Sequence, residues 1–260
     1  MTFQKKSSLL LWVDICNIIN LRKNIICEEK KMRINKLLSN YGYCSRKDTR
    51  KFIEDGRIIV NGEKAIQGQW VEVEEDKILL DGDILKEKDR VYIALNKPKG
   101  IICTADESKD ENIIKYVNYG EYIFPIGRLD KDSQGLIILT NDGELANDIL
   151  EAENGHEKEY VVTVDKEVTE EFLSSMSSGV KIGDKITKEC KLQKVDEFIF
   201  KIILTQGLNR QIRKMCLAFG YKVQVLERIR ILNINLDDIE YGKWRDISKE
   251  ELDILRKIIE

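Results

Sequence analysis

The chain has 260 residues, of which 42% are hydrophobic and 34% charged, and its formal net charge is −3. That is the composition of a globular protein with room for two modest domains, and it excludes a global basic field, so nucleic-acid binding would have to rest on a local patch. Six scattered cysteines without a C-x-x-C pair, and a single histidine, His156, argue against a disulfide framework and a His/Cys zinc site. The expectation is reduced thiols in the cytoplasm and no metal.

In chain order, Lys5 and Lys6 precede the apolar run Leu9-Leu10-Leu11-Trp12-Val13, which Asp14 interrupts. The run is too short for a membrane span, and no small-residue cleavage site follows it. Residues 1–31 are therefore read as an extension, with Met32 a candidate functional start. From Met32 the pattern is regular. Ile34, Leu37, Leu38 and Tyr41 recur at helical spacing up to Gly42. Ser45, with Asp48 three residues on, predicts a capped second helix that ends at Gly56. Asn61-Gly62 and Asp81-Gly82 are hairpin turn signals. Residues 32–88 thus read as two short helices on a small β-ribbon.

Residues 90–260 read as a second domain of α+β class. Strands are expected over residues 91–95, 135–139, 160–164 and 198–204, rich in β-branched residues. Helices are expected over 144–150, 169–179 and 208–219, the last closed by Gly220. A final helix starts behind Ser248, with Glu251 completing a capping box. Strands and helices do not alternate strictly, which disfavours a doubly wound parallel sheet and favours a mixed or antiparallel one.

Three segments could carry chemistry. Over residues 33–57 the cations Arg33, Lys36, Arg46, Lys47, Arg50, Lys51 and Arg57 outnumber Asp48, Glu54 and Asp55 by seven to three, a local charge of +4. Such a run is usually a solvated helix face; here it follows a capped helix start, where free amides also attract phosphate. The run from Phe124 to Leu136 places Arg128 and Asp130 in a turn-rich loop directly before an apolar strand. A carboxylate there can be a nucleophile or base, although loop aspartates more often bond loop amides. Finally, Arg210, Arg213 and Lys214 share one face near a helix start. Cations there oppose the macrodipole, so a phosphate or carboxylate is expected at that end. No G-x-G-x-x-G, G-x-x-x-x-G-K-[ST] or G-x-S-x-G is present, which removes support for a nucleotide cofactor or a serine hydrolase.

Together these motifs give the chain a family resemblance. The run RINKLLSNYGYCSRKDTRKFIEDGRIIVNG resembles the S4 RNA-binding module. Residues 90–247, with Leu95-Asn96-Lys97-Pro98-Lys99-Gly100, the G-R-L-D of Gly127 to Asp130 and the stretch Asn209 to Arg213, resemble the catalytic domain of bacterial ribosomal pseudouridine synthases, small-subunit type A and large-subunit types B, E and F. The wording KDSQGL, HEKEY and QGLNRQIRKM is nearest the F type. The resemblance implies that Asp130 is the catalytic aspartate, that Arg213 is held against it, that Tyr160 stacks on the target base and that Leu226 lines the pocket. It implies RNA contacts for Arg33, Lys36, Arg46, Lys47, Arg50, Lys51, Lys97, Lys99, Arg128, Asn209 and Arg210. It further implies a monomer without cofactor that acts on 23S rRNA, with room for a tRNA anticodon-loop target. A rival reading keeps the RNA binding and drops the catalysis, as an inactive ribosome-assembly factor; the intact Asp130, Tyr160 and Arg213 speak against it.

Overall fold

A computed structural model describes residues 31–105, 109–151, 155–237 and 239–260. Residues 1–30 lie outside the described part, and with them the apolar run at Leu9. Two compact units divide at Lys88/Asp89. No described helix is long and apolar enough to cross a membrane.

The first unit contains β1 (Lys31–Arg33), α1 (Ile34–Asn40), α2 (Thr49–Glu54), β2 (Ile58–Val60), β3 (Glu63–Lys64), β4 (Trp70–Glu72), β5 (Ile78–Leu80) and β6 (Asp83–Ile84). It holds more sheet than the ribbon expected. Strand order is β3-β2-β5-β6, all antiparallel, and β1 pairs separately with β4. Lys31, counted above with the extension, opens β1. Both turns form as expected: Asn61-Gly62 and Asp81-Gly82 all have positive φ, the twist that matches two-residue hairpins. The alternation on β2 and β5 buries Ile58, Val60, Ile78 and Leu80 against Ile34, Leu37 and Leu38 of α1. The cap at Ser45 differs from expectation. Ser45 accepts from the Asp48 amide at 3.1 Å and donates to its carboxylate, but in a turn preceding α2, which begins at Thr49.

The second unit contains β7 (Tyr92–Lys97), α3 (Ile113–Val117), β8 (Phe124–Pro125), β9 (Gln134–Thr140), α4 (Gly143–Leu150), β10 (Lys158–Val164), α5 (Glu170–Ser177), β11 (Lys181–Ile182), β12 (Lys185–Ile186), β13 (Lys191–Asp196), β14 (Ile199–Leu204), α6 (Gln211–Ala218), β15 (Val223–Ile231), β16 (Ile234–Asn235), β17 (Trp244–Asp246) and α7 (Lys249–Ile259). Its main sheet runs β13-β14-β10-β15-β9-β7-β17, with β8 on β9 and β16 on β15. Every pairing is antiparallel except β15 with β9, so the sheet is mixed, as expected. Strand β15, at its centre, was not foreseen: its sequence VQVLERIRI interleaves charge with apolar residues and masks a buried strand. Helices α4, α5 and α7 begin at side-chain caps, whereas α6 has none. Asp142 accepts from the Glu144 and Leu145 amides, Thr169 from Phe172, and Ser248 and Glu251 form the reciprocal box.

Strand β9 carries almost unbroken apolar side chains, since both faces of the sheet are covered there. Ala94, Leu136 and Ile138 pack with α4 and α7 on one side; Ile93, Leu95, Ile137 and Leu139 pack with Ile113 and Val117 of α3 on the other. The parallel seam is narrow, pairing only Gln134 with Glu227 and Gly135 with Arg228. At Gly135, φ is +100°, and a Cβ would stand 2.3 Å from the Arg228 carbonyl oxygen. Only glycine meets both demands. Gly135→Ala should therefore destabilise the unit by on the order of 2–5 kcal/mol through strain and overpacking, as read by urea denaturation. A loss under about 0.5 kcal/mol, typical of a neutral surface change, would show that the seam relaxes freely.

Candidate active site

The loop that ends at β9 presents Asp130, whose side chain is 31% exposed. Its carbonyl accepts from the Ser133 amide at 3.0 Å, closing a turn. Strand β10 carries Tyr160 opposite Arg228 of β15, beside a register shift between Glu159 and Tyr160. Leu226 of β15 stands opposite Val162. These three side chains line one cavity of about 680 Å³ together with Arg128, Asn209 and Arg210. Its size falls in the range of small-ligand sites. The turn at Asp130, the central strands β10 and β15 and the start of α6 therefore bring six of the expected residues to one place.

Two expectations are corrected. Arg213 does not reach Asp130. Its guanidinium donates to the Asp132 carbonyl at 3.1 Å, the Ser133 hydroxyl at 3.2 Å and the Val223 carbonyl at 3.3 Å, and it lies 3.4 Å from the Asp132 carboxylate. It ties the Asp130 loop to β15, and it does not line the cavity. The guanidinium that approaches Asp130 is Arg210, at 3.6 Å. Lys97 is fully buried, donating to the Pro98 and Ile101 carbonyls at 2.9 Å, so it cannot meet a phosphate. Burial holds its amine below the usual lysine range. Lys99 and Arg128 are exposed.

The anion expected at the start of α6 is a carboxylate of the chain. Arg210 grips Asp132 with two hydrogen bonds, 3.1 and 2.9 Å long. Arg210 sits in the left-handed region (φ 52°, ψ 37°) at the N-cap position, a conformation that costs a non-glycine residue about 1 kcal/mol and turns its side chain toward the loop. These bonds, then the charge of Arg213, hold the Asp132 carboxyl below its ordinary value. Sequence reasoning did not single out Asp132; its signal was the second carboxylate two residues past Asp130. Lys158, His156 and Arg228 also line the cavity and were not anticipated.

In the first unit, Arg33, Lys36, Arg46, Lys47, Arg50 and Lys51 are all exposed. Arg50 is engaged by Glu54 at 2.7 Å. Arg46 and Lys47 lie in the turn before α2 and not along it. Arg57 is diverted to a bidentate bond with Asp81 and stacks over Phe52.

A mixed sheet with a carboxylate, an aromatic ring and cations around one cavity is the architecture of an enzyme that handles an anionic substrate with a planar part. Comparison with known proteins gives the class. Residues 91–218 match the RNA pseudouridylate synthase family and residues 32–69 the S4 domain. The chain is 50% identical over 235 residues to the dual-specificity RNA pseudouridine synthase RluF of Escherichia coli K12, covering 89% of this chain and 81% of that protein. It is 30% identical to the uncharacterized RNA pseudouridine synthase YtzG of Bacillus subtilis, over 87% and 99% of the two chains. A crystal structure of a pseudouridylate synthase superposes with a TM-score of 0.64 at 28% identity, over 86% of this chain and 99% of that one. The chain belongs to the RNA pseudouridylate synthase family: it is a pseudouridine synthase, an isomerase, with an N-terminal S4 domain.

Asp132→Asn should release both guanidiniums and lower turnover about 10- to 100-fold through misplacement of the loop, while shifting Tm by only a few degrees. Parent-like turnover would exclude a positioning role for Asp132. A depressed carboxylate stabilises the fold above its unfolded pKa, about 3.9, and that contribution is lost as pH falls through the folded value. The stability gap between parent and Asp132→Asn should therefore close below about pH 4, as followed by urea denaturation at stepped pH.

Proposed function

We propose that this enzyme converts a specific uridine of 23S rRNA, in a stem-loop, to pseudouridine, and that it also accepts a tRNA anticodon loop. Relatives named as dual-specificity RNA pseudouridine synthases support the existence of a second RNA target. The observation that carries the reading is Asp130 facing a cavity that Tyr160 and Leu226 also line, with Arg210 beside it.

The reaction breaks N1–C1′, turns the base and joins C5 to C1′, with no group lost and no redox change, so the chemistry calls for no cofactor. The uridine first leaves its stack, at a cost of a few kcal/mol that an aromatic platform such as Tyr160 partly offsets. Asp130 is the catalytic carboxylate and Leu226 the apolar wall. Arg213 acts one step back, by fixing the loop that carries Asp130. Arg128, Asn209, Arg210 and Lys99 contact the RNA around the flipped nucleotide. Residues 32–88 grip phosphates and RNA shape through Arg33, Lys36, Arg46, Lys47, Arg50 and Lys51, and residues 90–260 carry the chemistry. The enzyme works as a cytoplasmic monomer without a metal.

Carbodiimide mapping of pseudouridine in RNA from cells with and without the gene should show one large-subunit rRNA site and one tRNA site lost. Loss of neither would overturn the assignment. Asp130→Asn should abolish turnover and keep RNA affinity; turnover near the parent level would remove Asp130 from its role. Neutralising Arg46, Lys47 and Lys51 together should weaken RNA binding and flatten its salt dependence by about 0.9 in slope per lost phosphate contact. An unchanged slope would exclude phosphate contacts by these side chains.

A further inference from the structure

Arg228 stands apart among the cavity residues. It is 3% exposed, and its Nε donates to the Leu136 carbonyl at 2.7 Å. Its Nη2 is buried with no hydrogen-bond partner among the described residues, and no described carboxylate forms an ion pair with it. An unmet donor on a buried charged group is among the most expensive features a fold can keep. Here the backbone enforces it. The contact at Gly135 presses Arg228 against β9, and the Leu136 bond fixes the guanidinium on one side. Its charge is felt within the cavity, where it adds to burial in holding Lys158 below the usual lysine range.

Resting on the reading of this cavity as the uridine site, we infer that Arg228 is a further catalytic residue, whose guanidinium, lining the cavity and without a carboxylate partner among the described residues, donates to a carbonyl oxygen of the target uracil and holds the base while it turns. Phosphate is the poorer fit. Exposed cations already surround the opening, whereas Arg228 is buried beside Leu226 and Tyr160, where a flat base belongs.

The chemistry explains why a single fixed donor suffices. When N1–C1′ breaks, its electron pair leaves with the uracil, and the charge spreads onto O2 and O4. A guanidinium stabilises that anion most where water is excluded. The ring then makes a half-turn about its N3–C6 axis. That turn puts C5 where N1 stood and exchanges O2 with O4. The donor therefore meets one carbonyl before the turn and the other after it. C5–C1′ then forms from the ring's electrons, C5 loses its proton and N1 gains one. Atoms and charge balance, and the base is tethered throughout.

The test uses the full-length enzyme and the rRNA stem-loop identified by mapping, made with uridine, 2-thiouridine or 4-thiouridine at the target. Sulfur is a weaker hydrogen-bond acceptor than oxygen. Single-turnover rates of the parent should fall about tenfold on each thio substrate. Arg228→Met should slow uridine conversion about 100-fold, with RNA affinity unchanged, and should no longer discriminate among the three RNAs. Arg228→Lys, which keeps a donor, should recover part of the rate. Equal parent rates on all three RNAs would overturn the inference without any variant. So would thio penalties that persist in Arg228→Met, or a variant that loses RNA affinity at unchanged turnover, the mark of a phosphate contact. A parent that converts none of the three would instead overturn the substrate reading beneath it.

Discussion

The catalytic unit depends on how closely two parallel strands approach at one point. At Gly135 the β9 backbone comes within what would be 2.3 Å of the Arg228 carbonyl for any residue with a Cβ. Three consequences follow from that contact. The Asp130 loop ends directly above it, because β9 begins at Gln134. Arg228 is driven into the interior, where it bonds Leu136. Tyr160, one strand further on, pairs with Arg228 and so faces the same cavity. Carboxylate, ring and guanidinium are thus placed by backbone geometry before any side-chain pairing contributes.

Electrostatics then sorts the cations by task. Asp132 engages Arg210 and Arg213, which leaves Asp130 next to a guanidinium already committed elsewhere. The energy of such a partly exposed arrangement is modest. Its value is geometric: five hydrogen bonds from two arginines to Asp132, Ser133 and Val223 fix a loop with little regular structure of its own. Arg210 accepts a left-handed backbone to make its share of them. Strain at this point is the cost of a defined loop.

Much of this was legible in the sequence. The turns at Asn61-Gly62 and Asp81-Gly82 and the box at Ser248 and Glu251 follow local rules, and local rules were obeyed. The mixed sheet followed from the lack of strict alternation. Less visible was β15, because charged residues at 227, 228 and 230 interrupt its apolar pattern. Two of those charges are met across the sheet, where Glu227 takes Gln134 and Arg230 takes Glu157 and Glu159, while Arg228 has only the Leu136 carbonyl among the described residues. No single-strand pattern contains that information. The pairing of Arg213 was misjudged for a similar reason. Asp130 and Asp132 are two residues apart, and the choice between them depends on the path of a turn. Lys97 was taken as a surface cation, although it continues the buried strand β7, where position on the sheet outweighs residue type.

Lys97 has a consequence beyond the site. Its amine is enclosed by the sheet and held by two carbonyls, with burial lowering its proton affinity. In the unfolded chain the same amine binds its proton as any lysine does. Between the two values the unfolded state holds the extra proton, so the fold gains ground as pH rises through that window. Lys97 thus works against the loss that Tyr92 and the thiols of Cys190 and Cys216, all held above their ordinary values, bring to the same unit as pH rises.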